Sequence, residues 1–282
     1  MAHALAVALN RAGYDISAVA SRSFTSALSL AAKIEGCAAY RDSQAVVEAC
    51  GLVFITTPDS TIAAVTSRLK WHHGQAVVHC SGADSVSLLT AATSQGAVGG
   101  VFHPLQSFAA DSTDTSVFQG LTFSLEAEGP LLDELKMMVN TLGGRWMVLR
   151  AEDKALYHAS AVIACNYMVT LAATASGLWS QFGVSAKEAL TALLPLMRGT
   201  LSNIERTGLP DCLTGPIARG DTLTVRRHLE AIRSRAPGLE TVYRELGKLT
   251  LPLVRAAGLD AAKITELTEI FADESGNQGG TE

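Results

Sequence analysis

Acid–base chemistry on a bound molecule is within reach of a few side chains in this sequence. Lys154 and His158 stand four residues apart, hence on one face of a helix. An ammonium and an imidazole placed so can donate a proton or hold a developing oxyanion. Lys154 is the candidate acid or oxyanion donor, and His158 its helper or an alternative acid. The plainer reading of Lys154, beside Glu152 and Asp153, is a solvated charge in a first helical turn. His103 precedes Pro104 at the end of an apolar run, which fixes the local turn and aims the imidazole past the strand end; a buried histidine bonded to backbone is the alternative. Ser81 ends a second such run in Cys80-Ser81-Gly82, and Thr57-Pro58-Asp59 ends a third. Ser21-Arg22-Ser23 offers two hydroxyls and a guanidinium, a set that suits a 2′-phosphate, or else forms an ordinary polar turn. In LTGPIARGD, Arg219 can hold a carboxylate bidentately or close a helix–loop salt bridge, and Asp221 reads as the cap of the following helix. Gln106, with Ser107, is a supporting candidate for contact with a small molecule.

Composition removes several other classes. The 282 residues are 48% hydrophobic and only 17% charged, which describes a well-buried globular chain of about two domains. A net charge of −5 without any Lys/Arg run argues against a nucleic-acid partner. Five cysteines without a C-x-x-C fit reduced thiols in a cytoplasmic protein. No metal site is expected: His72 and His73 are adjacent and point apart, and no H-x-x-x-H occurs. HCSGA lacks the G-x-S-x-G elbow of a serine nucleophile. Residues 155–186 carry no Asp, Glu, Lys or Arg and are long enough to span a bilayer. His158, Asn166, Gln181 and many hydroxyls dilute their hydrophobicity and no basic flank sets a topology, so the segment reads as a core helix, with no membrane partner and no signal peptide.

The elements that must position these side chains alternate. Residues 2–12 have helical spacing closed by Gly13, and Ile16 to Ala20 form a β-prone run. Strands are expected at 36–40, 52–57, 75–80 and 97–104, with helices between them, one capped by Ser43 and one by Asp59 or Ser60. A further strand, helix and strand over 121–149 extend the sheet. This is an α/β pattern, a Rossmann-type, mostly parallel sheet over residues 1–150. From 151 to 272 only helices are expected, an all-α domain, and 273–282 are polar, Gly-rich and expected to be disordered. In a parallel sheet ligands bind beyond the carboxyl ends of the strands, where the turns at 57–59, 81 and 103 fall.

The strand-ending HCSG and FHPLQSF, the helix opening DKALYHASAVIACNY and the segment LTGPIARGD together resemble the Rossmann-like proteins whose C-terminal half is the domain of unknown function 2520. That family is similar to the 6-phosphogluconate-dehydrogenase-like group, which includes ketopantoate reductase, pyrroline-5-carboxylate reductase and prephenate dehydrogenase. The resemblance implies an NADP-dependent oxidoreductase, with NAD as the other cofactor, acting on a small carboxylate-bearing carbonyl, hydroxyl or imine compound. It also implies a homodimer formed through the C-terminal helices. By the same resemblance His158 stands where β-hydroxyacid dehydrogenases carry Asn, four residues after their Lys. Ser81 and His103 match the Ser and His-Pro of prephenate dehydrogenases. Ser21, Arg22, Ser23, Thr57, Pro58, Asp59 and Ser81 are the expected cofactor contacts, with Arg219 and Gln106 on substrate. The sequence departs from the family at its start, where a first strand and Gly-rich turn are absent. The expectation is therefore two strands left with an unpaired ladder and weak or no NADP binding, restored in an upstream-extended chain; the alternative is a non-catalytic ligand-binding or scaffold protein of the same fold.

Overall fold

The computed structural model describes residues 1–108 and 114–272. They divide into two compact units, Met1–Tyr167 and Met168–Glu282. The division falls later than residue 150 because the first turns of the helix after 150 bury Lys154 against the sheet and so belong to the first unit.

The first unit alternates α1 (Ala2–Arg11), β1 (Ala18–Ala20), α2 (Phe24–Ala31), β2 (Ala38–Tyr40), α3 (Ser43–Ala49), β3 (Leu52–Ile55), α4 (Ile62–Thr66), β4 (Ala76–His79), α5 (Thr90–Thr93), β5 (Val98–Pro104), β6 (Thr122–Glu126), α6 (Gly129–Thr141), β7 (Arg145–Val148) and α7 (Lys154–Ala164). β1 and β2 pair in parallel as one sheet, and β3-β4-β5-β6-β7 form a second. Among the described residues β1 and β3 do not pair, so the ladder is interrupted between the two sheets, as expected. β3, β4 and β5 run parallel, but β6 joins β5 antiparallel, so the β6-α6-β7 unit extends the sheet in the opposite sense.

Period-two alternation gives each central strand two cores. Val78, Phe102, Phe123 and Leu125 pack with Leu5 and Leu9 of α1 and Leu135 of α6. Val53, Ile55 and Val77 pack with Ile62, Trp71 and Leu89. Close packing explains the paired glycines of β5: a Cβ at Gly99 would lie 2.7 Å from Val86 Cγ2, and one at Gly100 3.1 Å from Leu131.

Two expected caps are corrected. Asp42, not Ser43, caps α3 by accepting from the Gln44 N–H. Neither Asp59 nor Ser60 caps the helix that follows it; Asp59 is drawn instead to the Ser81 hydroxyl.

The second unit holds α8 (Asn166–Leu178, which begins at the seam), α9 (Ala186–Thr207), α10 (Thr222–Arg235), α11 (Glu240–Ala256) and α12 (Ala261–Ala272), with no strand among its described residues. Val225, Leu229, Val254, Leu267 and Phe271 form its core. Asp221 caps α10 through the Thr224 N–H, as expected. The charge-poor stretch is corrected. It is broken at Cys165 between α7 and α8, and the most apolar window of Ala151–Phe182 is only 6% buried, so it is no core helix of a single chain. The tail from 273 lies outside the described residues.

Candidate active site

Register builds the site. His79 on β4 is level with Val101 on β5, and Val101 with Glu126 on β6. One step on, His103 pairs with Ser124. Alternate residues share a face, so His103, Ser124 and Glu126 project to the side opposite the Phe102, Phe123 and Leu125 core, at the carboxyl ends of β4 and β5. α7 lies over that face. Its Lys154, Tyr157 and His158 are at i, i+3 and i+4, one stripe of the helix.

The fully buried Lys154 Nζ lies 3.4 Å from Glu126 Oε2, an ion pair whose two atoms find no well-formed hydrogen bond. Burial pushes the Lys154 ammonium down from its ordinary value, and the Glu126 carboxylate opposes this without cancelling it. His103 Nδ1 is 3.0 Å from the Tyr157 hydroxyl. A Cβ added to Gly82 would lie 2.7 Å from His103 Nε2 and 2.9 Å from His158 Nδ1. Those nitrogens therefore stand within about 6 Å of each other, a span that one heteroatom can bridge with two hydrogen bonds. His158 Nδ1 is buried and has no hydrogen-bond partner among the described residues. Burial, reinforced by His158 and Lys154, pushes His103 down to about 4, so the imidazole is neutral at pH 7.

The turn after β4 is rigidly tied. The His79 ring accepts from the Ser81 N–H at Nδ1 and sits 2.9 Å from the Ser85 carbonyl at Nε2, which fixes it as a neutral Nε2–H imidazole. Burial lowers its pKa in the same sense. The Ser81 hydroxyl stands 2.7 Å from Asp59 Oδ2 and 2.8 Å from Asp84 Oδ2 and accepts from the Asp84 N–H. Cys80 is pushed up to about 12 by burial and is no thiolate nucleophile.

Of the residues singled out in the sequence, Ser81, His103, Lys154 and His158 thus belong to one site, with Asp59 attached through Ser81. Thr57 and Pro58 follow β3, and the buried Thr57 hydroxyl has no hydrogen-bond partner among the described residues. Ser21, Arg22 and Ser23 follow β1, with Arg22 and Ser23 exposed. Gln106 is exposed, and its side-chain oxygen accepts from the Ser107 N–H. Arg219 is exposed on the second unit. Sequence reasoning missed His79, Asp84, Ser124, Glu126 and Tyr157. Tyr157 carried a signal, since it shares the Lys154–His158 stripe. Glu126, a charge ending an apolar strand, carried a weaker one.

Residues 1–104 match the family model of the Rossmann-like domain, and residues 121–250 match that of the domain of unknown function DUF2520. No curated protein matches the chain. Among solved structures, protein TM1727 from Thermotoga maritima is similar, with 28% identity, a TM-score of 0.68, and coverage of 84% of this chain and 90% of that one. So is BF3122 from Bacteroides fragilis, provisionally assigned as an NADP oxidoreductase, at 25% identity and a TM-score of 0.65 over 87% of this chain and 92% of that one. The reductive aminase from Aspergillus terreus in complex with NADPH shares the fold at 18% identity, with a TM-score of 0.62 and 96% coverage of both chains.

Proposed function

We propose, for a chain that joins a Rossmann-like domain to a DUF2520 domain, an oxidoreductase that moves a hydride between NADP and a small carbonyl, hydroxyl or imine compound bearing a carboxylate. The observation that carries this reading is the pair His103 and His158, whose free nitrogens converge at the carboxyl end of β5. The bound nicotinamide would supply or take the hydride. His103, neutral at pH 7, polarises the reacting heteroatom as a hydrogen-bond donor, and His158 delivers or takes the proton. Lys154, engaged with Glu126, holds α7 on the sheet and lends positive field to the site. Ser81 is locked by two aspartates, which makes it a rigid wall of the pocket.

The residues present fit the cofactor at two of its three parts. The unpartnered Thr57 hydroxyl and the turn through Asp59 would hold the nicotinamide end, and Ser21, Arg22 and Ser23 would hold a 2′-phosphate. Among the described residues β1 and β3 lie in separate sheets, and residues 1–282 hold no G-x-G-x-x-G to seat the diphosphate.

The experiment is a titration of NADPH and NADH followed by the fluorescence of the three tryptophans. NADPH is expected to bind more tightly than NADH. Binding of neither nucleotide would overturn the proposed reading.

The helical unit we assign to a homodimer interface rather than to a membrane or to nucleic acid. Val169, Leu171, Phe182, Leu196, Leu201 and Ile204 are all exposed large apolar side chains in the single chain. Large apolar side chains exposed in that number are normally covered, and a second copy presents the same side chains. Sedimentation equilibrium should give a dimer, and Leu196→Glu should weaken it. A wild-type monomer with intact helices would refute the assignment.

A further inference from the structure

The two strands of the small sheet both run out into an arginine. β1 and β2 are parallel with Ala20 level with Tyr40, so one step further on Ser21 comes level with Arg41. Arg22 and Arg41 therefore leave the carboxyl ends of neighbouring strands, which lie about 4.8 Å apart, on the side where a parallel sheet takes its ligands. Both arginines are exposed, and neither forms an ion pair among the described residues. The acid next to Arg41, Asp42, is engaged at the start of α3, where it accepts from the Gln44 N–H.

A second contact ties the two strand ends together. The Arg41 Cζ lies over the Phe24 ring, 4.0 Å from its centroid. Phe24 opens α2 directly after Ser21-Arg22-Ser23, and Ser23 stands at the N-cap without spending its hydroxyl on a cap. The ring that seats Arg41 thus belongs to the turn that carries Arg22. A guanidinium seated on an aromatic face keeps its edge N–H groups free to fork a phosphate. We infer that Arg41 is a specificity-determining residue of the cofactor site, which joins Arg22 in gripping the 2′-phosphate of NADP, one guanidinium from each strand end. The inference rests on the nucleotide half of the reductase reading and not on hydride transfer.

Charge makes the pair selective. A phosphate monoester carries about −1.5 to −2 at pH 7 and three acceptor oxygens, enough to take a fork from each of two guanidiniums. The ribose of NAD offers neutral hydroxyls at the same place, which leave both cations without a counter-charge, so the pair discriminates against it as well as favouring NADP. Arg41 is remote from Arg22 in the chain, and only the parallel register of β1 and β2 sets the two at neighbouring strand ends.

The test is calorimetric titration of the full chain with adenosine 2′,5′-bisphosphate, which carries the 2′-phosphate without nicotinamide or diphosphate, beside adenosine 3′,5′-bisphosphate and adenosine 5′-monophosphate. The wild type should bind the 2′,5′ compound roughly tenfold or more tightly than either of the others. Arg41→Ala should lose most of that preference and leave the affinity for the 5′-monophosphate unchanged. Arg41→Lys, which keeps the charge but not the fork, should restore only part of it, and it carries the test alone should the alanine variant fail to fold. Full wild-type preference in both variants overturns the inference, as does a wild type that binds the two bisphosphates equally or binds neither. A protein that prefers the 2′,5′ compound through Arg41 yet moves no hydride would sink the reductase reading alone, and NADPH bound by Arg41→Ala as tightly as by the wild type would sink this inference alone.

Discussion

Replacing Lys154 by Met should destabilise the N-terminal unit by about 3–5 kcal/mol, and adding Glu126→Leu should recover most of that loss. The side chains are 1% and 14% exposed, and their charged atoms stand 3.4 Å apart without the hydrogen bonds that would complete their solvation. Removing the ammonium alone strands a carboxylate between β6 and α7 in a place where water does not replace its partner. Removing both leaves an apolar contact of similar volume. Burial lowers the Lys154 pKa further than Glu126 restores it, so desolvation already outweighs the attraction within the pair. The pair is therefore a determinant of where α7 docks rather than a net source of stability, and α7 carries Tyr157 and His158 with it. Urea unfolding of the two single variants and the double variant, read as a double-mutant cycle, measures the coupling. A Lys154→Met variant within about 1 kcal/mol of wild type would show that the ion pair is not formed in solution.

What the sequence made legible follows from how local each signal is. The strand-ending turns at Thr57, Ser81 and His103 were readable because β-branched runs stop abruptly at polar residues, and a parallel sheet sends those ends to one side. The Lys154–His158 stripe was readable from helical spacing. Strand register across β4, β5 and β6 was not, because the direction in which β6 joins β5 depends on a connection that leaves no periodic trace; without it, Ser124 and Glu126 could not be set beside His103. The capping of α3 was misassigned by one residue because Asp42 and Ser43 are both good cap formers and only geometry chooses. The apolar stretch around 155–186 failed for another reason. Hydrophobicity states that a face must be covered and not by what, so composition alone does not separate a core helix from this one, which the single chain leaves exposed.

Acid should weaken the folded protein through His103 well before its carboxylates titrate. The imidazole has a pKa of about 4 in the fold against an ordinary 6.5, because burial and the neighbouring His158 and Lys154 disfavour its charge. Above pH 6.5 it is neutral in both the folded and unfolded states and contributes nothing to pH dependence. As the pH falls from 6.5 toward 4 the unfolded chain binds a proton that the folded chain refuses, so stability declines across that window and levels off below it. The full loss is on the order of 2–3 kcal/mol once partial exposure is allowed for. His79, also lowered, adds to the same slope. His103→Gln keeps an acceptor for Tyr157 and has no proton to gain. Its unfolding free energy, followed in urea from pH 7 to pH 4.5, should fall much less than that of the wild type, and the gap between the two proteins should close or reverse toward acid. A gap that stays constant over this range would mean that His103 titrates normally in the fold, and the neutral N–H donor at the head of the site would go with it.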